Sequence, residues 1–222
     1  MKRLRAYLET IGKADRYEAF EIYYAMLTDW NTRFNLTAVT GRDEVETLHF
    51  LDSLAGLPYM GETVLDVGAG AGFPSLPLAI VSPEKQFLLV DSLNKRINFL
   101  NAVVEALGLR NVRTLHARAE DLPRQMFDTV TARAVAPLNV LAEYCLPFVR
   151  TGGTMVAYKA REVEAETAAA ARAIQILGGG KARIERVAVD SELARALVIV
   201  EKVAPTPQKY PRKGNKPRTD PL

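Results

Sequence analysis

From residue 63 onward, short apolar runs alternate with segments in which apolar residues recur every third or fourth position. The runs predict strands at 63–67, 86–90, 111–115, 127–131 and 153–158. Two closing strands, 184–189 and 196–200, read as antiparallel because the segment between them is too short for a crossover helix. The clearest helix follows Asp91, with Ile97, Leu100, Val104 and Leu107 on one face and Gly108 at the cap position. Pro137 opens another helix that ends near Pro147. The alanine-rich stretch 162–177 is strongly helical by propensity and is stopped by three glycines, 178–180. Earlier, Leu4, Leu8 and Ile11, then Tyr17, Phe20, Tyr24 and Leu27, recur at helical spacing. The stretch from Trp30 to Thr37 breaks that period, and Val45, Leu48 and Leu51 predict a further helix within 43–54. The pattern divides the chain into a helical extension over 1–60, an α/β core over 61–204 and a tail over 205–222.

The core opens on its most informative stretch. The apolar run 63–67 contains Asp66 and ends in Gly68, Gly70 and Gly72, and the next run ends in Asp91, 23 residues after Gly68. Strand, small-residue turn and second-strand acid together read as a Rossmann-like ligand site, in which glycines let the backbone approach the ligand and the acid meets a ribose. The spacing is GxGxG and no GKS or GKT follows, so a dinucleotide fingerprint and a phosphate-binding loop both fit poorly. A neutral adenosyl ligand fits better. In such a sheet the site lies beyond the carboxyl ends of the strands. Gly68 and Gly70 would admit the amino-acid part of a cofactor, and Asp91 would accept from two ribose hydroxyls. Glu120 or Asp121 is positioned to address an adenine amino group, Asp121 alternatively serving as a helix cap. Arg133 and Lys159, each just beyond a strand, are placed to face a nucleic acid or the cofactor carboxylate. Pairing with Asp128 or Glu143 is the plainer role for Arg133. Asp66 reads as an acid orienting backbone groups rather than carrying a proton.

Composition narrows the class. The 222 residues are 48% hydrophobic, enough for one buried core, and the single cysteine, Cys145, cannot form an internal disulfide. Without a membrane-length apolar run or a signal-peptide pattern, a cytoplasmic protein is expected. The two histidines, His49 and His116, lie far apart and make no metal-ligand cluster, so no metal is expected. Ser53, Ser75 and Ser92 lack a histidine-acid relay. The net charge of +3 is concentrated at the end of the chain. Lys209, Arg212, Lys213, Lys216 and Arg218 stand there against Asp220, between Pro207, Pro211 and Pro217. They predict an extended arm that meets RNA phosphate, a disordered solubilising tail or, through Tyr210 and Leu222 instead, a segment anchored to the body.

Several longer strings carry a family resemblance. They are Trp30-Asn31 with Phe34-Asn35-Leu36-Thr37, His49 to Leu54, Val64 to Pro77, Val90 to Arg96, Thr131 to Ala136, and Lys209-Tyr210-Pro211-Arg212-Lys213. Together they resemble the bacterial small-subunit ribosomal RNA methyltransferase G family, also called glucose-inhibited division protein B. The resemblance implies a class I methyltransferase fold, with a seven-stranded, mostly parallel sheet closed by an antiparallel strand and a helical N-terminal extension. It also implies S-adenosylmethionine as methyl donor and N7 of guanine 527 in 16S ribosomal RNA as acceptor. Gly68, Phe73, Ala119, Glu120 and Arg133 match the family's cofactor contacts, and Asp91 matches the ribose acid of the wider class. The expected partner is 16S RNA or the small ribosomal subunit, with neither DNA nor membrane, and a monomer is favoured. Ser75 and Ala160 stand where the family usually has glycine. Trp30, Phe34 and Phe73 offer stacking surfaces for a displaced base. The alternatives to this reading are a small-molecule methyltransferase and a non-catalytic RNA-binding module.

Overall fold

The computed structural model describes residues 1–124, 126–160, 162–188 and 194–222. Seven strands form one sheet: β1 (Thr63–Val67), β2 (Gln86–Asp91), β3 (Val112–His116), β4 (Phe127–Arg133), β5 (Val149–Lys159), β6 (Arg183–Ala188) and β7 (Ala194–Glu201). Their order is β3-β2-β1-β4-β5-β7-β6. β1 to β5 run parallel, and β7 runs antiparallel to both β5 and β6. The strand order reverses between β1 and β4, the topological switch point where open α/β sheets bind ligands. The sheet is that expected of a class I methyltransferase. Val189, placed in the sixth strand by pattern, lies outside the described residues.

The helices are α1 (Lys2–Thr10), α2 (Tyr17–Phe34), α3 (Arg42–Val45), α4 (Asp52–Leu54), α5 (Ser75–Val81), α6 (Asn94–Ala106), α7 (Leu138–Cys145), α8 (Glu164–Ile176) and α9 (Lys216–Thr219). Between α3 and α4 the turns widen into a π-helical stretch, Glu46–Leu51, so the helix expected over 43–54 is continuous but irregular. Such widened turns occur frequently at functional sites. α5 carries no amphipathic signal because all seven of its residues are buried. A helix apolar on every side has no polar face to mark its period. α6 buries Ile97, Phe99, Leu100 and Val103, with the expected Val104 and Leu107 partly buried against the same cluster, so the face is centred nearer Phe99.

Alternation along β1 sends Val64 to one side of the sheet and Leu65 and Val67 to the other. The first side packs on α1, α2, α5 and α6, so Leu4, Phe20, Tyr23 and Leu27 share one apolar cluster with Val64, Leu89 and Leu197. The second side packs on α7 and α8, through Leu141, Cys145 and Ile174. Cys145 is a buried thiol whose pKa burial pushes up. No described helix is long and apolar enough to cross a membrane.

The tail is neither extended nor free. Tyr210 and Pro217 are buried. Arg124 donates to the carbonyls of Pro207 (2.9 Å) and Tyr210 (2.6 Å). Arg212 forks onto buried Glu143 at 2.9 and 2.7 Å, and its own backbone N–H donates to the same carboxylate. Lys213 donates to the Glu120 carbonyl and Asp121, and Arg218 to the Val135 carbonyl. Just before the tail, Lys202 is 2% exposed and donates to the carbonyls of Leu146 and Leu177 and to Thr206. The prolines oppose helix and strand, yet side-chain bonds hold the irregular path in place. The expectation of an extended, free arm is therefore corrected: Arg212 is turned onto the body, while Lys213 and Arg218 are tethered to it and keep exposed side chains. Lys209 lies over the Tyr210 ring at 5.2 Å and, like Lys216, is exposed.

Candidate active site

Three cavities lie in a row over the carboxyl ends of the strands. The first, about 420 Å³, is lined by Val67, Gly68, Asp91, Ala119, Glu120, Tyr144, Asn215 and Arg218 among others. The second, about 220 Å³, is lined by Leu36, Thr37, His49, Gly68, Gly70, Phe73, Arg96 and Arg133 among others. The third, about 380 Å³, is lined by Leu48, His49, Asp52, Arg133, Tyr158, Lys159 and Arg195 among others. Gly68 borders the first and second; His49, Arg133 and Ala134 border the second and third. All seven expected cofactor residues, Gly68, Gly70, Phe73, Asp91, Ala119, Glu120 and Arg133, thus meet in the first two cavities.

The turn after β1 keeps its backbone bare. Gly68 has φ +74°, and a Cβ there would stand 2.7 Å from Val135 Cγ2, so any side chain would be both strained and obstructed. Asp91 fixes the turn: its Oδ2 accepts from Gly70 N–H (2.9 Å) and Arg96 (3.2 Å), its Oδ1 from Leu93 N–H (2.9 Å). A carboxylate has about four lone-pair sites, which leaves less room than two ribose donors require unless Arg96 gives way. Asp91 therefore both braces the turn and lines the cavity. Asp66, one strand position before Val67, is 1% exposed and neither of its oxygens has a hydrogen-bond partner. Burial raises it to about 7, while Ser75, whose Oγ makes no hydrogen bond of acceptable geometry, and Arg133 pull the other way. An orphaned buried carboxylate beneath a bare glycine turn suits a ligand that carries both hydrogen-bond donors and a positive charge.

Arg133 is the hub between the second and third cavities. Its guanidinium lies 4.9 Å from the Phe73 ring centroid and donates to Leu48 carbonyl (3.0 Å), Asp52 Oδ2 (2.9 Å) and His49 Nδ1 (3.2 Å). An arginine can only donate, so His49 Nδ1 accepts and Nε2–H donates to Thr37 Oγ1 at 2.9 Å. Burial, then the Arg133 charge, lowers His49 to about 4 and keeps the ring neutral. Burial raises Asp52, and Arg133 and Arg195 hold it back. The partner of Arg133 is thus Asp52, 81 residues away, while Asp128 binds Arg150 and Glu143 binds Arg212. The next residue, Ala134, has φ +56°, an uncommon backbone state for a residue with a side chain and one that clusters at functional sites.

Lys159 lines the third cavity, but its ammonium is held by Ala136 carbonyl (2.8 Å) and Glu166 (2.7 Å). Phe73 is covered on its faces by His49, centroids 4.3 Å apart, and Tyr23, 5.3 Å apart. Trp30 packs on Phe34 and Phe99. Phe73 therefore presents no free face to a base, whereas Trp30 and Phe34 are only partly buried. His116 stands at the end of β3 and pairs with the Ser92 carbonyl. Among the described residues, no group of three histidine, cysteine, aspartate or glutamate side chains could hold a metal ion. The sequence pattern assigns no role to Arg195, carries Asp52 only within the string His49 to Leu54, and weighs His49 as a metal ligand. The phrase His49-Phe50-Leu51-Asp52 in the helical extension was the available signal.

A family model described as rRNA small subunit methyltransferase G matches residues 16–203. The ribosomal RNA small subunit methyltransferase G of an Exiguobacterium strain is 48% identical over 213 residues, covering 91% of this chain and 90% of that protein. That of Lactococcus lactis subsp. cremoris is 45% identical over 215 residues, covering 92% and 90%. Among solved structures, cofactor-bound Rv0187 from MTB superposes with a TM-score of 0.58 at 20% identity, covering 89% of this chain and 94% of that one. M. jannaschii TYW2 in complex with AdoMet gives 0.56 at 17% identity, covering 73% and 78%; both likenesses concern the fold. With the family model spanning most of the sequence and relatives this similar matching nearly end to end, the chain belongs to the rRNA small subunit methyltransferase G family.

Proposed function

We propose that this protein transfers a methyl group from S-adenosylmethionine to N7 of a guanine in 16S ribosomal RNA, guanine 527 by the family resemblance. The observation that carries the reading is the row of cavities joined at Gly68 and at Arg133, two for a cofactor and one for an acceptor. The first cavity suits the adenosine half, with Asp91 on the ribose side and Ala119-Glu120 at the base. The second suits the amino-acid half, against the bare backbone of Gly68 and Gly70. M. jannaschii TYW2, which shares this fold, was solved in complex with AdoMet, which supports the same assignment.

The cofactor supplies an electrophilic methyl group on a sulfonium. Guanine N7 has an in-plane lone pair and no proton, so the chain needs no general base. What remains is alignment and electrostatic tolerance of the charge that moves onto the purine. Arg133 is suited to the cofactor side because it lines the second cavity and, with Nη1 held by Asp52 and Leu48 and Nη2 by His49, still has N–H donors without a partner among the described residues. A free guanidinium directed at N7 would occupy the lone pair that must attack. A stacked or paired base would have to be displaced from the RNA to enter such a cavity. Mass mapping of 16S RNA from cells with and without the protein tests the reading. The expected result is one N7-methylguanosine present only with the protein. Identical maps would overturn it.

A further inference from the structure

Resting on that reading, we infer that the third cavity seats the acceptor guanine and that Asp52 and Arg195 read its Watson–Crick edge. Asp52 is 2% exposed, and its Oδ2 is committed to Arg133. Its Oδ1 faces Arg195 Nε across 3.5 Å, and that buried Nε has no hydrogen-bond partner. A structural carboxylate–guanidinium pair closes to about 2.7–2.9 Å. Here a buried acceptor and a buried donor stand side by side at a cavity wall without closing, an expensive arrangement unless something completes it.

The other polar side chains of the cavity are already satisfied. Lys159 binds Glu166 and the Ala136 carbonyl, the Tyr158 hydroxyl donates to the Ser53 carbonyl, and His49 bridges Arg133 and Thr37. Hydrogen-bond capacity is left at Asp52 Oδ1 and Arg195, with Arg195 supplied by β7 and Asp52 by α4. A carboxylate accepts only and a guanidinium donates only. Guanine offers their complement on one edge: N1–H and the N2 amino group donate, and O6 accepts. Adenine offers a lone pair at N1, which the carboxylate would repel. Held by this edge, guanine carries N7 on the adjacent Hoogsteen edge; Arg195 must donate to the O6 lone pair on the N1 side, which leaves the N7 lone pair uncovered toward the neighbouring cavity that shares His49, Arg133 and Ala134.

The test uses small subunits reconstituted with 16S RNA carrying guanosine or inosine at the methylated position. Inosine retains N7, O6 and N1–H and lacks only the N2 amino group. Wild-type protein should methylate inosine with a kcat/KM about ten- to a hundred-fold lower than guanosine, the cost of one lost recognition pair. Arg195→Gln should lower kcat/KM on guanosine by a similar factor and leave cofactor Kd, measured by calorimetry, within about two-fold. Asp52→Asn should bring the guanosine-to-inosine ratio close to one. Because Asp52 also holds Arg133, cofactor titration of the same variant separates recognition from loss of cofactor. Equal wild-type rates on guanosine and inosine would overturn the pocket assignment without touching the proposed function, and this arm needs no variant to fold. An Arg195→Gln protein with unchanged kcat/KM would do the same. Failure of wild-type protein to form any N7-methylguanosine would overturn both.

Discussion

The cofactor end of the site and the acceptor end are built in different ways. The cofactor end is local: Gly68, Gly70, Phe73 and Asp91 come from two successive strands and the turn between them, and each has a reason that can be stated from backbone geometry. The acceptor end is assembled from Asp52 in the helical extension, Arg133 at the end of β4, Lys159 at the end of β5 and Arg195 at the start of β7. The first is a motif; the second exists only when the sheet has closed and the N-terminal helices have docked on it. Substitutions in the motif should therefore act first on cofactor binding, whereas substitutions in the assembled half should split between recognition and stability.

The largest effect expected is at Gly68. Gly68→Val places a branched side chain at φ +74° with its Cβ 2.7 Å from Val135, so calorimetry should detect no S-adenosylmethionine binding by a protein that still shows a cooperative melt. Binding at full strength would detach the turn from the ligand. The next effect is on stability, in the segment that walls the adenosine end. Arg212→Gln leaves Glu143, 1% exposed, as an uncompensated buried charge. That costs about 3 kcal/mol, or ~6–12 °C in melting temperature for a chain of this size. Cofactor affinity should fall with it, since Asn215 and Arg218 of the same tail line the first cavity. An unchanged melting temperature would return the tail to the role of a free arm.

Asp91→Ala comes third. Loss of a charged acceptor costs about 1.5–3 kcal/mol, roughly a ten- to hundred-fold weaker cofactor Kd. Because Asp91 also braces Gly70 and Leu93, Asp91→Asn separates its two roles. The amide keeps one acceptor for the turn and should recover stability before it recovers affinity. An Asp91→Ala protein with wild-type Kd would remove the residue from the ribose.

What could be read in advance follows the same division. The strand-turn-strand signature, the parallel order and α6 rest on periods and turns that operate over a few residues. α5 was invisible because a helix buried on every side has no polar phase, and Ser75 and Pro77 give it the look of a loop. The tail misled for a different reason. Its prolines and lysines signal disorder when counted, but Glu143 and the Glu120 carbonyl, which hold Arg212 and Lys213, are 69 and 93 residues away. Asp52 looked like one more helix acid until folding put it against Arg133 and Arg195.

Acid should expose the assembled half through His49. Its folded value, about 4, lies below the ordinary 6.5 because the ring is buried beside Arg133. The unfolded chain thus binds the proton more readily. This group's contribution to stability is complete above about pH 6.5 and is lost as pH falls toward 4. His49→Gln should flatten that limb of a melting-temperature profile between pH 4 and 6.5 and leave it unaltered above pH 7. A limb of unchanged slope would show that the ring is free to take up the proton in the folded state.

The smallest effect is expected from Lys209 and Lys216, the basic tail residues for which no side-chain hydrogen bond to the body is seen among the described residues. Lys209 sits over the Tyr210 ring, and Lys216 begins α9; replacing both with glutamine touches neither the Arg212–Glu143 pair nor the strand-end turns. Cofactor affinity should be unchanged and melting temperature should move by less than about 1 °C. If the tail meets phosphate at all, it does so first through these positions. Binding to small subunits across a salt series should then become shallower by up to about two units of log–log slope, one per lost contact. A normal slope with normal affinity would mean that the tail's charges act only within the fold. Recognition of the RNA would then fall to the acceptor cavity and the surface around it, which is the sharper form of the contrast between a written motif and an assembled pocket.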